Sequence, residues 1–113
     1  MQKQLSGLIE RLEAFEQRVG VELRGLYASR NEAGDIHING ELHSTLNPEL
    51  DINIQVVATL YDSGGYVLYT ESYPFIRETF FGFEAFSIWI PKFCMPDDNK
   101  VSKIRVYPKK AGY

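Results

Sequence analysis

Apolar residues recur at intervals of three and four near the start of the chain, at Leu5, Leu8, Ile9, Leu12, Phe15 and Val19. That spacing lines one face of a helix, and it predicts an amphipathic helix over residues 2–19 with Lys3, Glu10, Arg11, Glu13, Glu16 and Arg18 on its solvated side. Gly20 is expected to end the helix, because glycine enters the left-handed conformation without steric cost.

Beyond Gly20 the period falls to two, the signature of strands with one buried face. Residues 21–29 read as a strand, and Asn31 to Gly34 as a turn. Residues 35–45 alternate, with Ile36, Ile38 and Leu42 opposed to Asp35, His37, Asn39, Glu41 and His43. Asn39-Gly40 is by itself a strong hairpin signal inside that strand. A turn there would leave a first arm of only about four residues, so a continuous strand is preferred and Gly40 is read as a bulge or a close backbone approach.

Residues 51–61 place Ile52, Ile54, Val56, Ala58 and Leu60 on one face, and Asp62-Ser63-Gly64-Gly65 turns the chain into residues 66–73, which Pro74 is expected to end. A short strand at 76–80 follows. Residues 84–90 set Phe86, Ile88 and Ile90 against Ala85, Ser87 and Trp89, and residues 101–107 set Ile104 and Val106 against Lys103, Arg105 and Tyr107. The pattern predicts an all-β domain: a seven-stranded immunoglobulin-like antiparallel β-sandwich over residues 21–110, preceded by the amphipathic helix of residues 1–19.

The run Leu60-Tyr61-Asp62-Ser63-Gly64-Gly65-Tyr66-Val67, followed by Phe86-Ser87-Ile88-Trp89-Ile90-Pro91, resembles the FxLYD domain family of prokaryotic immunoglobulin-like sandwiches. The similarity spans roughly Ile36 to Tyr107, with Gly40-Glu41-Leu42 where such domains carry a glycine before an apolar strand residue, and with Ala58 where the family has its Phe. The resemblance implies a structural or interaction module and brings no catalytic residues with it.

Charge narrows the field of partners. Twelve basic and fifteen acidic residues leave a formal net charge of −3, so no global positive field gathers nucleic acid or anionic lipid. No segment approaches the roughly 20 apolar residues of a membrane span, and residues 1–20 lack the basic start and apolar run of a signal peptide. A cytoplasmic setting is therefore expected. The single cysteine, Cys94, has no activating histidine or lysine nearby and reads as a half-buried thiol.

Candidate chemistry is sparse. His37 and His43 share a strand face but lie about 20 Å apart at a strand's rise, too far to share a metal ion, although Glu41 and His43 alone could approach one. Asp62 is explained by its turn, and Asp97 and Asp98 by a loop. Lys92, Lys103, Arg105, Lys109 and Lys110, with Tyr107 and Trp89, have the composition of a single-strand nucleic-acid binder, but an edge strand guarded by lysines explains them better. No catalytic site, cofactor or metal is expected, and no nucleic-acid or membrane partner.

One stretch stands out. Between Arg77 and Pro91 five of fifteen residues are aromatic. Phe86 belongs with the core-facing set, whereas Phe80, Phe81, Phe83 and Trp89 are candidates for binding a protein partner or a second copy of the chain. The predicted helix is too short to stand alone and must bury its stripe on a sheet, in its own chain or in a dimer mate. The expected function is a non-enzymatic interaction or structural module. The alternative is a binder of small ligands or carbohydrate that uses Trp89, Tyr107, Tyr61 and Tyr69 as stacking platforms.

Overall fold

The computed structural model describes residues 3–95 and 100–112 of the chain. Strands β1 (Lys3–Gln4), β2 (Ile9–Arg11), β3 (Val21–Arg30), β4 (Ile36–Ser44), β5 (Ile54–Tyr61), β6 (Val67–Phe75), β7 (Phe83–Ile90) and β8 (Lys103–Lys110) accompany one α-helix, α1 (Glu13–Val19). They form two four-stranded sheets, ordered β1-β3-β4-β7 and β2-β8-β5-β6, which contribute to one hydrophobic core. Every pairing is antiparallel except that of β2 with β8.

The alternation read in the sequence places the core. Ile36, Ile38 and Leu42 of β4, Phe86, Ile88 and Ile90 of β7, and Ile104 and Val106 of β8 are buried, with Ile54, Val56, Ala58 and Leu60 of β5. Both expected turns are made by side chains suited to them. Asn31 Oδ1 accepts the backbone N–H of Asp35, and Asp62 Oδ1 accepts those of Gly64 and Tyr66. β4 runs unbroken through Asn39-Gly40, and Gly40 is a close approach: a Cβ built there would lie 2.8 Å from Leu26 Cδ2 and 2.9 Å from Phe86 Cζ. The irregularity falls on the facing strand instead, between Arg24 and Tyr27, where Gly25 takes a φ of 64°.

The strand count is eight rather than seven, and the differences have physical causes. Residues 76–80 form turns, not a strand, with the Thr79 N–H bonded to the Ile76 carbonyl. β6 continues through Pro74 to Phe75, because β6 is the outermost strand of its sheet and a missing N–H costs no ladder bond on its free side.

The largest departure is at the N-terminus, where the helix is confined to Glu13–Val19. Residues ahead of it cross from one sheet to the other. Lys3 and Gln4 pair with Arg30 and Ser29 of β3, a 3-10 turn covers Ser6–Leu8, and Ile9–Arg11 pair with Ile104–Val106 of β8. Two sheet edges carrying unpaired backbone groups here outweigh the helical preference of a stretch that a central Gly7 already weakens by about 1 kcal/mol. Leu5 is buried in the core, and Leu8, Ile9 and Val19 pack against it, so most of the apolar stripe is covered within the chain, while Phe15 stays 36% exposed.

α1 ends at Gly20, with φ 74° and its N–H bonded to Gln17 and Glu16 carbonyls, as its sequence position suggested. The helix rests on β8, where Phe15 meets Tyr107 edge to face at 5.3 Å, and on β3. Glu16, expected on a solvated face, is instead 3% exposed. No helix among the described residues is long and apolar enough to cross a membrane.

Candidate interaction surface

The outward face of the first sheet carries the residues that alternate with its core positions. In register across β3, β4 and β7 these are Glu22–His43–Phe83, Arg24–Glu41–Ala85, Tyr27–Asn39–Ser87 and Ser29–His37–Trp89. Their order follows from the pleat: with Phe86, Ile88 and Ile90 committed to the core, Phe83 and Trp89 must point out. Phe83 is 57% and Trp89 53% exposed, and Tyr27 is exposed between them.

Each end of this face is a ring stacked on a histidine. Trp89 lies over His37 with centroids 6.5 Å apart and planes 23° from parallel, and Phe83 lies over His43 at 5.0 Å and 10°. His43 Nε2 is 2.9 Å from Glu41 Oε1. The two histidines singled out in the sequence thus act as partners of exposed rings, and no group of three or more metal-ligating side chains occurs among the described residues.

Loops fix both ends. Beyond Trp89, Asp35 Oδ1 accepts the Lys92 N–H at 2.8 Å, joining the β3–β4 turn to the chain leaving β7. That bond, helped by Asn31 and Trp89, holds the Asp35 carboxyl below its ordinary pKa despite some opposing desolvation. At the Phe83 end, Gly82 bends the chain at φ 80°, its N–H bonded to the Pro48 carbonyl and its own carbonyl to the Ser44 N–H.

Phe81, adjacent to that bend, is 72% exposed. Phe80, grouped with it as a candidate binding residue, is 3% exposed and meets Phe75 edge to face at 6.1 Å. It belongs to the core, because the turn at residues 76–80 directs it inward. Tyr27 and Phe93 escaped notice in the sequence; Phe93, in the 3-10 turn Lys92–Cys94, is 87% exposed. Tyr27 could be assigned outward only once the bulge at Gly25 was known.

The other candidate groupings disperse. β8 lies inside its sheet, between β2 and β5, so its basic residues do not guard an edge. Lys103 and Arg105 pair with Glu10 of β2 at 3.4 and 2.9 Å, and Arg105 also lies over the Tyr61 ring. The hydrogen bond from Arg105, ahead of the contribution of Lys103, draws the Glu10 carboxyl below its ordinary pKa. Tyr61 and Tyr107 belong to the second sheet and Trp89 to the first, while Tyr69 packs against the core, its hydroxyl pKa raised chiefly by Cys94. These four rings form no common platform. Asp97 and Asp98 lie outside the described residues.

No family model matches the chain, and no curated protein and no solved structure is significantly similar to it.

Proposed function

We propose that the chain is a non-enzymatic immunoglobulin-like module, akin to the FxLYD domains, that associates with a second copy or another protein through the outward face of its first sheet. The observation that carries this reading is the pair of ring–histidine stacks, Trp89 on His37 and Phe83 on His43, whose rings the described residues leave exposed. Stacked rings lose little freedom on binding, and aromatic residues are enriched where protein partners bury them.

The bordering strand supports the same reading. Among the described residues β7 pairs only with β4, which leaves its other backbone edge without a strand there, and its sequence Phe83-Glu84-Ala85-Phe86-Ser87-Ile88-Trp89-Ile90 contains no lysine or proline to discourage strand addition. The outermost strand of the second sheet, β6, does carry a proline.

Neighbour relations support the immunoglobulin-like part. β3, β4 and β7 are ordered like immunoglobulin strands A, B and E, and β6, β5 and β8 like C′, C and F. β2 lies beside β8 where strand G would pair, but runs parallel to it. The ligand-binding alternative is less well supported, since its four rings lie apart.

Light scattering coupled to size-exclusion chromatography, run over a concentration series, tests self-association. The mass is expected to rise toward two protomers, and Trp89→Ala and Phe83→Ala to shift that rise to higher concentration with thermal stability little changed. A mass fixed at one protomer throughout excludes self-association, and failure of both variants to alter binding of any protein partner excludes this face.

A further inference from the structure

A cavity of about 490 Å³ opens between β1, the Ser6–Leu8 turn and the residues leading into β8. Its size falls in the range of small-molecule sites. Leu5, Leu8 and Val101 supply its apolar wall, and Lys3, Arg30 and Lys100 its charge; among the described residues no carboxylate lines it.

The placement of the cations is unusual. Lys3 and Arg30 are direct cross-strand partners, an arrangement that sets like charges about 5 Å apart at Cβ and is ordinarily unfavourable. Among the described residues neither of them, nor Lys100, forms an ion pair. The Arg30 Nε is buried and is the one buried side-chain nitrogen or oxygen there without a hydrogen-bond partner. Buried N–H donors are nearly always satisfied, so an orphan beside two further cations is the mark of a missing acceptor.

We infer that this cavity binds an amphiphilic anion, an acidic head on a short apolar body. The head accepts from the Arg30 guanidinium and lies between Lys3 and Lys100, and the body lies along Leu5, Leu8 and Val101. Charge-assisted bonds to a planar guanidinium favour carboxylate and phosphate oxygens over neutral acceptors, and the apolar wall favours a chain over a bare inorganic ion. None of the rings or histidines of the proposed protein-binding face lines this cavity.

Amide chemical shifts followed by NMR during titration test the inference, with octanoate, octyl phosphate, octanol and inorganic phosphate as probes. Saturable shifts are expected at Leu5, Gly7, Leu8, Arg30 and Val101, with octanoate or octyl phosphate binding at least about ten-fold more tightly than octanol or inorganic phosphate. Whichever of the two amphiphiles binds more tightly identifies the head group. Arg30→Gln and Lys100→Gln should each weaken binding; Lys100 is exposed, so its variant keeps the test valid if Arg30→Gln fails to fold. Absence of saturable shifts, equal affinity for octanol and both amphiphilic anions, or unchanged affinity in a folded variant would each overturn the assignment.

Discussion

Glu16 Oε1, on the helix α1, accepts the backbone N–H of Leu23 in β3 at 3.0 Å. β1 pairs with β3 only at Ser29 and Arg30, and the Ser6 hydroxyl accepts the Ala28 N–H beyond them, so the start of this edge has no strand beside it. The helix supplies the acceptor that a strand would have provided. Arg11 completes the arrangement, its Nη2 2.6 Å from Oε1 and its Nε 3.1 Å from Oε2, so the buried carboxylate is both hydrogen-bonded and charge-paired.

Glu16→Ala should therefore destabilise the domain by about 1–3 kcal/mol, the usual cost of leaving a buried donor unsatisfied. Glu16→Gln retains an acceptor for Leu23 and should cost less. Arg11 is 38% exposed, so water can replace part of what it loses in either variant. Urea unfolding of the three proteins measures the order. Coincident midpoints for wild type and Glu16→Ala would mean that water satisfies the Leu23 amide unaided.

A second prediction concerns Gly40. Its backbone has no positive φ, so alanine is permitted there conformationally, and the obstacle is space. The new methyl would press on Leu26 and on Phe86, which is itself buried, and overpacking of this kind costs about 1–3 kcal/mol. Leu26 is only half-buried and its Cδ2 is the nearest atom, so adding Leu26→Ala to Gly40→Ala should restore part of the loss. A double-mutant cycle by thermal unfolding checks this; additive losses would place the clash on Phe86 alone.

These two sites show what the sequence could disclose. The close approach at Gly40 was legible because the alternation of Ile36, Ile38 and Leu42 demanded a continuous strand through a glycine that no turn required. The role of Glu16 was not legible, because the demand it meets arises on a sheet edge seven residues away. The N-terminal stripe misled for the same reason: Leu5, Leu8 and Ile9 suit a helix face, but the unpaired edges of β3 and β8 drew Lys3–Gln4 and Ile9–Arg11 into strands, with Leu5 and the Ser6–Leu8 turn between them. At the candidate face, alternation alone placed Phe83 and Trp89 outward. Their stacking on His43 and His37 depended on the register between β4 and β7, which neither strand encodes locally.

Acid should weaken the fold through two surface carboxylates. Asp35 is held below its ordinary carboxyl pKa, chiefly by the Lys92 N–H, and Glu10 below its own, chiefly by Arg105. A carboxyl with a lower pKa folded than unfolded contributes stability that is fully present above its unfolded pKa and is lost as pH falls through its folded pKa. The contribution of these two groups should be complete at neutral pH and decline below about pH 4. In urea unfolding at a series of pH values, Asp35→Asn and Glu10→Gln should start less stable at neutral pH and decline less steeply on acidification. An unchanged slope in both variants would show that other carboxylates govern acid unfolding.

The last prediction separates core from surface within the aromatic run. Phe80 and Phe86 are each 3% exposed and converge edge to face on Phe75, both with centroids 6.1 Å away. Phe80→Ala and Phe86→Ala should each cost about 3–5 kcal/mol, through lost burial and the cavity left behind. Phe81 is 72% exposed beside the bend at Gly82, and Phe81→Ala should stay within about 0.5 kcal/mol of wild type. Adjacent residues would then differ several-fold in their effect on the denaturation midpoint. A large loss on removing Phe81 would mean that its ring is covered in solution, and a covering supplied by a second copy would make that loss depend on protein concentration.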